Sequence, residues 1–315
     1  MKVFAKTGNE EIATVYLAEI SHGKIVEFVE SLQPPLPRED KWVLIVSTLF
    51  GCPVGCRFCD SGNFYKGKLE RDDILCQIDY MVKRRFPDGV VPVKKFKIQF
   101  SRMGEPAFNM AVIDVLEQLP HRYNAENILP VVSTIAPKGT SKFFERLFEV
   151  KNGLYETNFQ LQFSIHSTDR KLRDWLMPVK KWGLDRIASY GEKFYNRGGR
   201  KITLNFALST DTIIDQDEML KYFDPEKFLI KITPVNPTYQ SIMNNITSSI
   251  TPEQTESEII ALLKAAGYDV ILSIGEWEEN QIGSNCGQLI TRYLKEKEKI
   301  KDSYTFSVVD VPTDG

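Results

Sequence analysis

Three cysteines, Cys52, Cys56 and Cys59, stand within eight residues of FGCPVGCRFCDSG (50–62), in a chain that has five in all. Thiols gathered at spacings of four and three point to a metal or redox site. A structural zinc ion takes four Cys or His ligands, and a ferredoxin-type iron–sulfur cluster takes four cysteines. Three suffice only where something else completes the site. That can be a distant His or Cys on zinc, or an external ligand on the open iron of a cubane. An odd, clustered set of cysteines also argues against a secreted disulfide framework and for a reducing compartment, so a cytoplasmic location is expected.

Such a loop needs a scaffold, and the apolar pattern supplies one. Strand-length runs rich in Val, Ile and Phe recur at WVLIVST (42–48), KFKIQF (95–100), ILPVVST (128–134), FQLQFSIH (159–166), KITLNFAL (201–208) and FLIKITPV (228–235), separated by helix-length segments. Six such runs predict an α/β fold of repeated βα units around a parallel sheet or barrel, with the cysteines just after its first strand. A seventh run, YDVILSIG (268–275), follows a helix expected over 252–266, with Thr251 as N-cap, Pro252 at the first position, Gln254 closing a capping box and Gly267 at the stop. Ahead of the barrel, the alternation in IATVYLAEI and IVEFVES around a Gly-containing break reads as a β-hairpin. The expected division is an N-terminal hairpin extension over 1–36, a core barrel over 37–240, and a C-terminal extension over 241–315 that carries the seventh strand and a loop with Cys286.

With 315 residues, 42% hydrophobic and 26% charged, the chain is long enough for one large α/β domain or two modest ones. The net charge of −2 gives no global basic field for nucleic acid, so such a partner would need local patches. Lys94, Lys95 and Lys97, and Arg197, Arg200 and Lys201 near Tyr195, are two such clusters, and both read as solvated strand ends. The stretch 236–255 reads as a surface loop, RYLKEKEKIK (292–301) as a solvated helix face, and Cys76 as an ordinary helix residue. Neither a signal peptide nor a membrane span is indicated.

The spacing C-x3-C-x2-C with Phe58 before the last cysteine resembles the radical SAM superfamily motif. Further motifs at the strand ends, SRMGEPAFN, STIAP, SIHSTDRKLRDWLMPV, ITPVNP and GSNCGQL, together resemble the RlmN/Cfr family of 23S rRNA adenine methyltransferases, from about Ile12 to Leu289. The resemblance implies a partial (βα)6 TIM-like barrel of the radical SAM type and a [4Fe-4S] cluster on Cys52, Cys56 and Cys59, with S-adenosylmethionine (SAM) on its open iron. It also implies SAM contacts from Phe58, Gly104, Glu105, Ser133, Ser164, Ile165, His166 and Asn236, with Glu105 meeting the amino group. Glu105 suits an ammonium, and Ser or Asn side chains suit a carboxylate or ribose. Cys286 would be methylated by one SAM. A deoxyadenosyl radical from a second SAM would then take a hydrogen from that methyl group, and the resulting methylene radical would add to carbon 2 or carbon 8 of adenine. Glu27, in IVEFVES, would stand at the position of the family's acidic residue and be the candidate catalytic proton acceptor. An electron donor such as flavodoxin or ferredoxin, and RNA, are the partners this implies.

The pattern departs from the family in four places. Ile45 stands where the family has the second catalytic cysteine, which releases product. The hairpin starts within fifteen residues of Met1 and leaves no room for the family's N-terminal RNA-binding domain. Arg102 replaces a glycine before MGEP, and STIAP replaces STSG. Two other readings therefore stand beside the methyltransferase: a radical SAM enzyme acting directly on a small molecule or a protein, and a non-catalytic metal- or RNA-binding module.

Overall fold

The computed structural model describes residues 1–20, 23–32, 36–250, 258–273, 282, 287–295 and 306–311. Three strands lead: β1 (Lys2–Gly8), β2 (Ala13–Ile20) and β3 (Lys24–Ser31). β2 and β3 form the expected hairpin, in unbroken antiparallel register from Ala13↔Ser31 to Ile20↔Lys24. β1, which the hairpin pattern had not included, adds to its outer edge.

The barrel strands follow, each run of β-branched and aromatic residues forming one strand. They are β4 (Trp42–Val46), after which come the short β5 (Leu49–Phe50), β6 (Gly67–Lys68) and helix α1 (Arg71–Arg85), then β7 (Phe96–Phe100), α2 (Ala111–Arg122) and β8 (Ile128–Thr134). Next are α3 (Ser141–Val150), β9 (Gln160–Ser164), α4 (Arg170–Leu176), α5 (Leu184–Phe194), β10 (Ile202–Leu208), α6 (Gln216–Tyr222) and β11 (Phe228–Pro234). The chain continues through α7 (Tyr239–Met243), α8 (Glu258–Ala265), β12 (Asp269–Leu272), α9 (Gln288–Lys295) and β13 (Val309–Asp310). The predicted start of the helix before β12, at Thr251, Pro252 and Gln254, lies outside the described residues; Gly267, at φ +93°, ends it.

One eleven-stranded sheet runs β12-β11-β10-β9-β8-β7-β4-β3-β2-β1-β13, parallel from β4 to β12 and antiparallel from β4 through β3 outward. This is the partial (βα) barrel, its ends not joined by ladder hydrogen bonds, with the hairpin continuing the sheet beyond β4. No helix among the described residues is long and apolar enough to cross a membrane.

The two faces of the parallel strands differ. Phe96, Ile98, Phe100, Phe163, Leu204, Phe206, Phe228 and Ile230 pack against the helices with almost no exposure, each burial stabilising by about 1.5–3 kcal/mol. The opposite face is polar. Parallel register sets Ser133, Gln162 and Thr203 in one row across β8, β9 and β10, and Ser164, Asn205 and Lys231 in another across β9, β10 and β11. Bulky branched side chains fill the interior of an ordinary TIM barrel; this one is lined with hydroxyls, amides and lysines. Lys97 belongs to the same inward face and is not a solvated strand end. Burial, and then the charges of Lys231, Lys41, Lys95 and Arg200, bring its pKa down to about 7. Lys94 is the solvated member, ion-paired to Asp40 at 2.7 Å.

Candidate active site

The C-terminal ends of the parallel strands converge on one mouth, where a βα barrel builds its site. The cysteine loop enters after β5. None of its three cysteines is in a disulfide, and each is half-buried. Burial, then Cys59, Cys52 and Glu105 beside it, push the Cys56 thiol well above its usual range. Cys52, Cys56 and Phe58 pack in one cluster with Leu176, Met177 and Val235, which gathers the end of α4 and the end of β11 around the loop.

Hydrogen bonds fix the loop to its neighbours. Arg57 N–H donates to the Leu176 carbonyl at 2.9 Å, and Thr238 Oγ1 donates to the Phe58 carbonyl at 2.9 Å. Asp60, fully buried, accepts from the N–H groups of Tyr239 (3.1 Å) and Gln240 (2.9 Å), so it caps α7 and locks the loop to the NPTYQ segment. Asp60→Ala removes the acceptor for both and is expected to cost about 1–3 kcal/mol in urea unfolding.

Glu105 lies 96% buried beneath this loop. It accepts from Ala107 N–H (3.1 Å), from Ile135 N–H (2.9 Å) and from the Thr134 hydroxyl. A carboxylate has about four lone-pair sites, so capacity for one further donor remains. Burial lifts its pKa to about 7 against the pull of those three donors. Gly104 is fixed by packing, since a Cβ there would meet Leu49 Cβ at 2.6 Å.

His166 follows β9 with φ +62° and its ring edge-on to Phe58, centroids 4.9 Å apart. Its Nδ1 accepts from Ala207 N–H at 3.0 Å, which puts the proton of the neutral ring on Nε2. Burial, and then Arg173, lower its pKa to about 3, so it stays neutral across the working range. Ile165 is fully buried, its N–H on the Asn205 carbonyl at 2.9 Å. Ser133 donates to Gln162 Oε1 at 3.3 Å on the inner wall, Ser164 ends β9 on the same wall, and Asn236 is half-buried after β11, its carbonyl accepting from Ser241 Oγ.

Glu27 lies at the N-terminal end of α9, joined to the cysteine loop through Gly287. Its carboxylate takes Arg102 Nε at 2.9 Å, Ile290 N–H at 3.0 Å and Gly287 N–H, and neither charged side chain is more than 2% exposed. The two positions flagged separately in the sequence, Glu27 and Arg102, thus form one buried pair that caps α9. Cys286 lies outside the described residues. Gly287, which follows it, has φ +78° and sits so close to the cysteine loop that a Cβ would fall 2.3 Å from Ser61 N. Ile45 packs in an apolar cluster with Met103, Ile282, Leu289 and Ile290.

Sequence reasoning missed Asp60, Thr134, Thr238 and Asn205, the last with a buried Oδ1 that has no hydrogen-bond partner. Thr238 was findable, as the first residue of a T-x-x-S capping box. The rest depend on tertiary neighbours.

No protein-family model matches the chain. It is 26% identical over 306 residues, 93% of its length and 77% of the other's, to a protein of Chlorobium phaeobacteroides named probable dual-specificity RNA methyltransferase RlmN. It is 30% identical over 190 residues to the dual-specificity RNA methyltransferase RlmN of Anaeromyxobacter dehalogenans, covering 59% of this chain and 48% of that one. A crystal structure of a radical SAM methyltransferase from Sphaerobacter thermophilus matches it with a TM-score of 0.70 at 19% identity, over 91% of this chain and 81% of that one. By sequence along most of its length the chain is a relative of the RlmN RNA methyltransferases, and it has the fold of a radical SAM methyltransferase.

Proposed function

We propose that the chain is a radical SAM methyltransferase of the RlmN kind, acting on an adenine or similar sp2 carbon of RNA. The observation that carries this is the three-cysteine loop held over a polar-lined barrel mouth beside the buried carboxylate of Glu105. Three thiols in one loop with no fourth Cys or His in that loop suit a [4Fe-4S] cluster with one open iron, which Cys52, Cys56 and Cys59 would hold, better than a four-ligand structural zinc. When bound, the cluster supplies the electron that cleaves SAM. The protein's part is to bind and orient. Glu105 offers its remaining acceptor site to the ammonium of SAM, Asn205 offers an unpartnered amide oxygen, and Phe58 and His166 wall the mouth. The sequence relatives support RNA as the substrate, and the packing of Gly287 on Ser61 supports a role for Cys286 near the loop.

Glu105 ties binding to pH. Protons compete with the ammonium for its carboxylate, so SAM affinity is expected to fall by up to about tenfold per unit below pH 7, and to fall again above about pH 8 as the α-amino group of SAM loses its proton. Isothermal titration between pH 5.5 and 8.5 checks this, and an affinity independent of pH below 7 would remove Glu105 from the amino-group contact.

The test of the function is the mass of the Cys286 peptide after anaerobic reconstitution and incubation with methyl-labelled SAM. A labelled methyl on Cys286, with 5′-deoxyadenosine formed, is the expected outcome. Deoxyadenosine with Cys286 unmodified would favour a radical enzyme without methyl transfer, a reading that the apolar packing of Ile45, in place of a product-releasing thiol, also favours.

A further inference from the structure

Beside the candidate active site lies a cleft of about 820 Å³, formed by α4, the segment leading into α5, the end of α6 and the turn after β8. Lys138, Arg170, Arg173, Lys180, Lys181 and Arg186 line it, and carboxylates are in the minority. One of them, Asp174, is engaged by Lys181 at 2.6 Å. Backbone pairing holds two exposed lysines together: Lys138 N–H donates to the Lys180 carbonyl at 2.9 Å, next to the Pro137↔Lys181 bridge. Like charges brought together this way repel unless an anion lies between them.

The wall of the cleft is rich in donors and poor in acceptors. Arg173 is 94% buried and spends only Nη1, on the Trp182 carbonyl at 2.7 Å; its Nε and Nη2 have no hydrogen-bond partner. Trp182 Nε1 is buried without a partner as well. A buried donor left unmade is costly, and these three are found in one wall. Arg186 stacks on the Trp182 ring at 4.3 Å and presents its guanidinium from above. Burial lowers the pKa of Arg173 to about 10, in keeping with a cation that lacks a full counter-charge.

From the clustered cations and the orphaned donors we infer that this cleft binds the phosphodiester backbone of RNA and so sets the target base at the barrel mouth. The inference rests on the function proposed above and names where its substrate docks. The cations extend over two helices and two loops, which suits a run of phosphates rather than a single anion. Arg and Lys are the residues that such contacts use. The link to the chemistry is direct, because the segment that lines the cleft also gives the Leu176 carbonyl to Arg57 in the cysteine loop.

The test is fluorescence anisotropy of the full chain with a labelled RNA hairpin carrying loop adenines, across a salt series. The variant is Lys138→Ala/Lys180→Ala, two exposed side chains outside the catalytic constellation. Affinity at low salt is expected to drop at least tenfold, and the slope of log K against log salt to shrink by about 0.7–0.9 for each phosphate that the variant no longer neutralises. Unchanged affinity and slope would overturn the inference. So would a wild-type protein that binds inorganic phosphate in the cleft, shown by loss of that binding in the variant, but binds no RNA. Deoxyadenosine formation from SAM is measured alongside and should be equal in both proteins. If neither cleaves SAM while the RNA effect persists, the proposed function fails and the docking site stands.

Discussion

Cys56→Ala protein, reconstituted anaerobically with iron and sulfide, holds no cubane cluster and forms no 5′-deoxyadenosine above background. Cys56 is the middle ligand of the proposed set; burial and its neighbours hold its thiol well above the usual range, so the proton stays on until a metal displaces it. Iron content, the visible absorbance of the cluster and the deoxyadenosine assay read the outcome, with far-ultraviolet circular dichroism to show the fold intact. Cys76→Ala is the control. Cys76 lies on α1 with its Sγ on the Asp73 carbonyl at 3.1 Å, and its loss should leave iron and SAM cleavage unchanged. Full iron and turnover in Cys56→Ala would show that the three-cysteine loop is not the ligand set.

Arg102→Ala lowers the unfolding free energy by about 3–5 kcal/mol, because it strands the fully buried carboxylate of Glu27 without its counter-ion. Replacing both, as Glu27→Leu/Arg102→Met, should recover part of that loss, since a buried ion pair is weak evidence of net stabilisation. Full recovery is not expected: Gly287 and Ile290 still lose their N-terminal acceptor. Urea unfolding of the wild type, Glu27→Leu, Arg102→Met and the double variant measures the coupling, and a loss under about 1 kcal/mol for Arg102→Ala would contradict a sealed pair. The same carboxylate can be asked about chemistry through Glu27→Gln. Loss of labelled product with stability kept would make Glu27 a proton acceptor, whereas product and stability falling together would leave it a helix cap.

The strands were readable because the outer face of each is a run of large apolar residues with β propensity, and the seven parallel strands fall where those runs fall. β1 was harder, since KVFAKTG alternates over only a few residues, and its partner strands are what select it. Inside the barrel, sequence reasoning lost its hold. Lys97 has the composition of a solvated strand end, and only the closure of the sheet brings Lys231 across from it and water away from it. Asp60 and Thr134 were passed over for the same reason. Each is an ordinary polar residue until a second segment, at Tyr239 or Glu105, supplies its partner. Of the candidate site, residue types and loop positions were legible. The pairing of Glu27 with Arg102 was not, although both residues had drawn notice singly.

The cap on α9 joins residues 260 and 263 positions apart in the chain. Contacts of such long range form late, because the entropy of closing so large a loop must be met first. A chain emerging from the ribosome can complete the cysteine loop and most of the barrel long before Gly287 arrives to lie on Ser61. The loop that carries the three thiols is therefore formed during synthesis and early folding before the last long-range closure packs against it at Ser61.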